Sequence, residues 1–120
     1  MALYDDIGGA PVIRRVLNAF YPRVLADSAL GPFFLGVDIE RLKKTQEEFL
    51  AMVLGGPNHY TGRGLHEAHK RTRLLGANTD VFERYLTVFK GVLVDFGLPD
   101  RTVAEWLAVF EGARGHILNR

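Results

Sequence analysis

Apolar residues recur at three- and four-residue steps along almost the whole chain, the period of helices that each bury one face. Val12, Ile13, Val16, Leu17, Phe20, Val24 and Leu25 mark a helix over residues 10–26, with Gly8-Gly9 as the loop before it. Pro11 falls in its first turn, where a missing N–H is harmless. Asp27 to Pro32 reads as a turn and Phe33-Phe34-Leu35 as a short apolar plug. A second helix runs from an Asp38 N-cap to about Leu54, with the inward stripe Ile39, Leu42, Gln46, Phe49 and Val53. Gly55-Gly56-Pro57-Asn58 ends it. Residues 59–64 read as loop, followed by a short helix from about Leu65 to Leu74 and a break at Gly76-Ala77-Asn78. Thr79 or Asp80 caps the next helix, whose stripe is Val81 or Phe82, Tyr85, Leu86, Phe89, Val92 and Leu93. After Gly97-Leu98-Pro99-Asp100, residues 101–118 form the last helix around Val103, Trp106, Leu107, Phe110 and Ile117.

No stretch alternates in the two-residue period of a strand, so the expected fold class is all-α. A length of 120 residues fits one domain spanning 1–120. Fifteen basic residues against fourteen acidic ones leave a net charge of +1, which gives no reason to expect nucleic acid or an anionic membrane. Cysteine is absent, which excludes disulfides, thiolate metal sites and a cysteine nucleophile. The start Met1-Ala2-Leu3-Tyr4-Asp5-Asp6 is no signal peptide, and no apolar run reaches the roughly 18 residues of a membrane span, so a cytoplasmic location is the default.

Three polar residues interrupt the apolar faces. Gln46 sits mid-stripe in the second helix, and a buried amide without a partner costs about 1–3 kcal/mol. Tyr21 follows Phe20 on the buried face of the first long helix, and its hydroxyl also needs a partner. His69 lies on the short helix, one turn after Leu65. Taken singly, each has an ordinary reading: a core tyrosine with its hydroxyl at the rim, a glutamine at a stripe's edge, a surface histidine. Their interest is whether they converge on one ligand. His66-Glu67-Ala68-His69 lacks the spacing of zinc peptidases, and the glycine-rich segments match neither nucleotide-binding fingerprint. Serine occurs once, at Ser28, outside any nucleophile motif. Arg63, Lys70, Arg71 and Arg73 cluster near His69; such a cluster is ordinarily solvated surface, and it also suits a dianionic ligand.

Seven local strings, in order and at matching separations, resemble the truncated haemoglobins, and their first group in particular. They are Leu3-Tyr4 with Ile7-Gly8-Gly9; Phe20-Tyr21 with Arg23-Val24-Leu25; Phe33-Phe34; Gln46 with Phe49-Leu50; Leu54-Gly55-Gly56; Tyr60-Thr61-Gly62-Arg63; and Glu67-Ala68-His69-Lys70. The resemblance spans essentially the whole chain. It implies a two-over-two helical sandwich enclosing haem b, with a first helix that is nearly absent. His69 then matches the proximal iron ligand, its second ring nitrogen donating to a backbone carbonyl such as that of Leu65. Tyr21 matches the distal tyrosine that donates a hydrogen bond to the bound gas, and Gln46 a distal glutamine that supports that tyrosine or the ligand itself. Phe34 matches a phenylalanine wedged against the haem, and Leu42, Thr45, Leu54, Leu65, Phe82 and Leu86 are further expected contacts. Arg41, Lys44, Tyr60, Arg63 and Arg73 are candidates to meet the propionates.

The chain departs from the family pattern at three places. Pro22 follows Tyr21 inside a helix, where proline removes a donor and tends to kink the chain, so it can displace the phenol. Thr45 stands where some relatives carry an iron-binding histidine, and threonine is a poor haem ligand. His116 does not align cleanly with the histidine that some relatives bond to haem, so no crosslink is expected. The implied function is reversible binding of O2, and of NO or CO, at a five-coordinate iron, with tight O2 binding and nitric oxide dioxygenation supported by an unidentified reductase. A carrier, store or gas sensor without enzymatic turnover is the alternative. The expected state is a monomer or weak homo-oligomer.

Overall fold

The computed structural model describes residues 3–58 and 69–118, with Arg71 and His116 described by backbone alone. In chain order, α1 spans Leu3–Ile7, α2 Ala10–Ala26, a 3₁₀ turn Gly31–Phe34, α3 Ile39–Val53, α4 Lys70–Leu74, α5 Thr79–Asp95 and α6 Asp100–Leu118. No strand occurs among the described residues. Helix α2 packs on α3, α5 packs on α6, and the two pairs meet through α2 and α5. This is the two-over-two sandwich.

The helix ends follow from local chemistry. Asp38 caps α3 by accepting from the Arg41 N–H at 3.2 Å. Asn78, rather than Thr79 or Asp80, caps α5: its side chain accepts from the Val81 N–H at 3.0 Å. The expected cap was one or two residues late because an Asn, a Thr and an Asp within three positions all suit the role. Helix α1 is too short to show a period, and it is held by tertiary contacts. The Tyr4 N–H donates to the Leu54 carbonyl at 2.8 Å, and Tyr4 Oη accepts from the Ala10 N–H at 3.1 Å. A Cβ on Gly56 would lie 2.6 Å from the Tyr4 ring, so only glycine permits α1 to seat against the end of α3.

Edge-to-face aromatic contacts join the layers. Phe89 of α5 lies 4.9 Å from Phe20, 5.5 Å from Trp106 and 4.8 Å from Phe110, centroid to centroid. Outside this core, Arg23 pairs with Asp95 at 2.5 Å and Arg84 with Asp27 at 2.7 Å, which ties the C-terminal end of α2 to two places along α5. Two apolar expectations are corrected. Leu25 ends up exposed because it lies about 100° round the helix from fully buried Val24, at the edge of the inward face. Leu35 is 72% exposed because the 3₁₀ turn ends at Phe34, leaving only Phe33 and Phe34 half-buried as the plug.

Candidate functional site

Three helices each bring one polar side chain to the same point. Tyr21 of α2 is buried, Gln46 of α3 and Tyr85 of α5 are half-buried, and the rest of the described core contains no buried charged group. Tyr21 Oη donates to Gln46 Oε1. Gln46 Nε2 in turn donates to Tyr85 Oη at 3.0 Å. The two polar residues that seemed to lack partners in the sequence therefore satisfy each other, with Tyr85 as a third member that the periodicity assigned only to an apolar stripe. A hydroxyl among Phe82, Leu86 and Phe89 was the available signal. Burial pushes the Tyr21 phenol well above its ordinary range, and the neighbouring Tyr85 adds to the rise. Burial also raises Tyr85, against the hydrogen bonds from Gln46 and Tyr21. Both phenols are neutral at physiological pH, and both can donate.

Pro22 does not turn Tyr21 away. Helix α2 continues through it to Ala26. Pro22 and Asn18, whose carbonyl loses its usual N–H partner, are both exposed, so the freed carbonyl is on the solvent side and the helix need not bend inward.

Around this polar point the wall is apolar. The Phe34 ring stands edge-on to Tyr21 at 5.9 Å. Leu42 is half-buried one turn before Gln46, and Phe82 and Leu86 of α5 are buried. The Arg114 guanidinium lies over the Phe82 ring at 4.7 Å from its centroid, so that ring is covered on one face. Leu54 is buried in the core, and its carbonyl accepts from the Tyr4 N–H of α1. Thr45, Arg41 and Lys44 lie on the exposed side of α3. His69 is half-buried immediately before α4, and its carbonyl accepts from the Arg73 N–H at 3.0 Å. Arg73 also donates from Nη1 to the Ile117 carbonyl at 3.3 Å, anchoring α4 to the end of α6. Tyr60, Arg63 and Leu65 lie outside the described residues. No group of three or more potential metal-ligating His, Cys, Asp or Glu side chains occurs among the described residues.

These residues fit haem. Ile39, Leu42, Phe49 and Val53 form a stripe on α3 that protein only half covers, while the fully covered residues of the same helix are Leu50 and Ala51. A helix whose apolar stripe is packed along one edge and only half covered along the rest suits an apolar macrocycle lying on the open part. A globin iron requires one nitrogen donor from protein, and half-buried His69 is a candidate for it.

Comparison with known proteins agrees. The bacterial-like globin family matches residues 2–119. A group 1 truncated hemoglobin of Tetrahymena pyriformis is 34% identical over 118 residues, covering 98% of this chain and 95% of the relative. One from Synechocystis is 34% identical over 115 residues, covering 95% and 92%. Among solved structures, the Fe(III) form of the Tetrahymena pyriformis protein superposes with a TM-score of 0.91 at 32% identity, over 98% of both chains. The 2/2 hemoglobin of Synechococcus, in a cyanomet state with covalently attached heme, superposes at 0.94 with 25% identity over the full length of both. The chain belongs to the bacterial-like globin family as a group 1 truncated haemoglobin, with haem b as its cofactor.

Proposed function

We propose that this globin holds O2 reversibly at a five-coordinate haem iron carried by His69, and that tight retention of O2 serves the oxidation of nitric oxide to nitrate. The observation that carries the reading is the Tyr21–Gln46 pair, a phenol and an amide placed together in an otherwise apolar wall. When bound, haem would supply a ferrous iron able to bind a diatomic gas such as O2, NO or CO.

The chain's own residues do the rest. His69 provides an imidazole from a half-buried position, and its backbone carbonyl accepts from the Arg73 N–H where α4 opens. Tyr21 keeps its proton at Oη because burial holds the phenol above its ordinary range. Gln46 spends one Nε2 hydrogen on Tyr85 and retains a second for a ligand. Phe34, Leu42 and Leu86 keep the surroundings apolar, where a hydrogen bond is stronger than in water. Two such bonds, each contributing about 1 kcal/mol or more, slow O2 release by more than about tenfold. Slow release is poor for transport and suited to keeping O2 until nitric oxide arrives. We place this activity in the cytoplasm; among the described residues no helix is long and apolar enough to cross a membrane.

The test mixes the oxygenated protein with nitric oxide in a stopped-flow instrument, then adds NADH and a flavoprotein reductase. The reductase returns one electron to the iron for each nitrate formed. Sustained nitrate production supports the proposal. A single equivalent of nitrate with the reductase active means a carrier or store instead.

A further inference from the structure

The Gln46 amide is held at both ends, and only one of its holders belongs to the pair on which the functional reading rests. Its carbonyl end takes the Tyr21 proton, and its Nε2 end donates to Tyr85 Oη at 3.0 Å. We propose that Tyr85 is a positioning residue for the distal pair: by accepting from Nε2 it fixes the Gln46 amide with Oε1 toward Tyr21, and so sets where both donors point. The inference rests on the reading of Tyr21 and Gln46 as the groups that meet the gas.

Tyr85 is built to be a fixed point. Its ring stands edge-on to Phe20 at 4.9 Å and to Phe110 at 6.1 Å, held between α2 and α6 while its own backbone belongs to α5. A glutamine side chain has three rotatable bonds before its amide, and Gln46 is only half-buried, so packing alone leaves it several rotamers. A hydrogen bond from a clamped phenol removes that freedom. It also resolves the direction of the amide: with Tyr85 accepting from Nε2, the oxygen is left for Tyr21. A phenylalanine at position 85 would fill the same space and leave the amide untethered. Supporting groups of this kind hold a site's donors to the sub-ångström tolerance that ligand recognition requires.

The C–O stretching band of the carbon monoxide complex reports the electric field at the ligand, and it is measured on the haem-loaded protein without any turnover. Four variants are compared: Tyr21→Phe, Gln46→Leu, Tyr85→Phe, and Gln46→Leu combined with Tyr85→Phe. Loss of distal donors moves the band to higher wavenumber. Tyr85→Phe is expected to move it in the same direction as Gln46→Leu and no further, and to add no shift in the Gln46→Leu background. Thermal unfolding of the same haem-loaded variants gives a second double-mutant cycle, in which Tyr85→Phe lowers the melting temperature with Gln46 present and less so without it. A wild-type band in Tyr85→Phe overturns the proposal. So does an equal Tyr85→Phe shift in both backgrounds, since Tyr85 would then act independently of Gln46. If Tyr21→Phe itself leaves the band unmoved, the functional reading of the pair fails, and that arm identifies the failure separately.

Discussion

Replacing Tyr21 by phenylalanine removes one hydroxyl and almost no volume, so its effect on O2 release isolates the distal hydrogen bond. The structure determines how large that effect should be. Tyr21 Oη is not idle: its proton is already donated to Gln46 Oε1. A gas ligand must therefore win the proton from a neutral amide. A hydrogen bond between neutral groups contributes about 0.5–1.5 kcal/mol net, and one to a charged acceptor about 1.5–3 kcal/mol. Bound O2 carries partial negative charge, so the exchange gains about 1–1.5 kcal/mol, and 1.4 kcal/mol corresponds to about tenfold in rate. Tyr21→Phe should speed O2 dissociation by about tenfold. Gln46→Ala should act in the same direction and less, because Tyr21 then loses its competing acceptor while one donor disappears. The double variant should be non-additive, as expected for groups in direct contact. Carbon monoxide, less polar when bound, should respond much more weakly.

The assay is stopped-flow displacement of O2 by carbon monoxide, followed in the Soret band. Off-rates for wild type and Tyr21→Phe that agree within about a factor of two, or about 0.4 kcal/mol, would refute the reasoning. The phenol would then be bound to Gln46 for structural reasons alone.

Three further outcomes can be checked. His69→Ala should lose most of its haem during purification and recover it with added imidazole; if His59, His66 or His116 proves essential instead, the axial assignment fails. Single neutralisations of Arg41 or Lys44, both exposed, should speed haem loss to apomyoglobin by no more than about fivefold, the equivalent of an exposed pair worth at most about 1 kcal/mol. A total loss of haem from either would mean a far more buried contact. The phenols of Tyr21 and Tyr85 lie above their ordinary value of 10.0 in the folded chain, so an unfolded chain releases their protons first as pH rises. The stability they contribute is therefore whole below pH 10.0 and is lost as pH climbs above it toward the folded values. Urea midpoints between pH 9 and 11 should fall less steeply in Tyr21→Phe than in wild type, and equal slopes would contradict the raised phenol.

The helices were legible because their period is strong and their ends are chemically marked. Residues 10–26 and the Asp38 cap came directly from spacing and capping chemistry. What spacing could not assign was the short helix α1, whose five residues are set by Tyr4 lodging against Leu54 and Ala10. Such a contact joins residues far apart in the chain and leaves no local trace beyond Gly56, which is glycine because the Tyr4 ring occupies the space of a side chain.

The polar site was half legible for a related reason. Gln46 and Tyr21 stood out because each broke an apolar pattern, and two unexplained polar groups pointed to something shared. The fold brings those two residues together, and each is a hydrogen-bond partner of the other. That mutual bond lowers the gain open to any ligand that must win the Tyr21 proton. Tyr85 escaped notice because tyrosine counts as apolar in a helical stripe, its ring packing with Phe20 and Phe110 as a phenylalanine would. Only the hydroxyl distinguishes it, and a hydroxyl acquires meaning when the fold brings α5 against α2 and sets the amide of α3 within 3.0 Å. A tyrosine in such a stripe carries two signals: the ring says that the position is buried, and the oxygen says that another buried polar group must be near. Here that second signal leads from Tyr85 to Gln46 and from Gln46 to Tyr21, one residue from each of three helices.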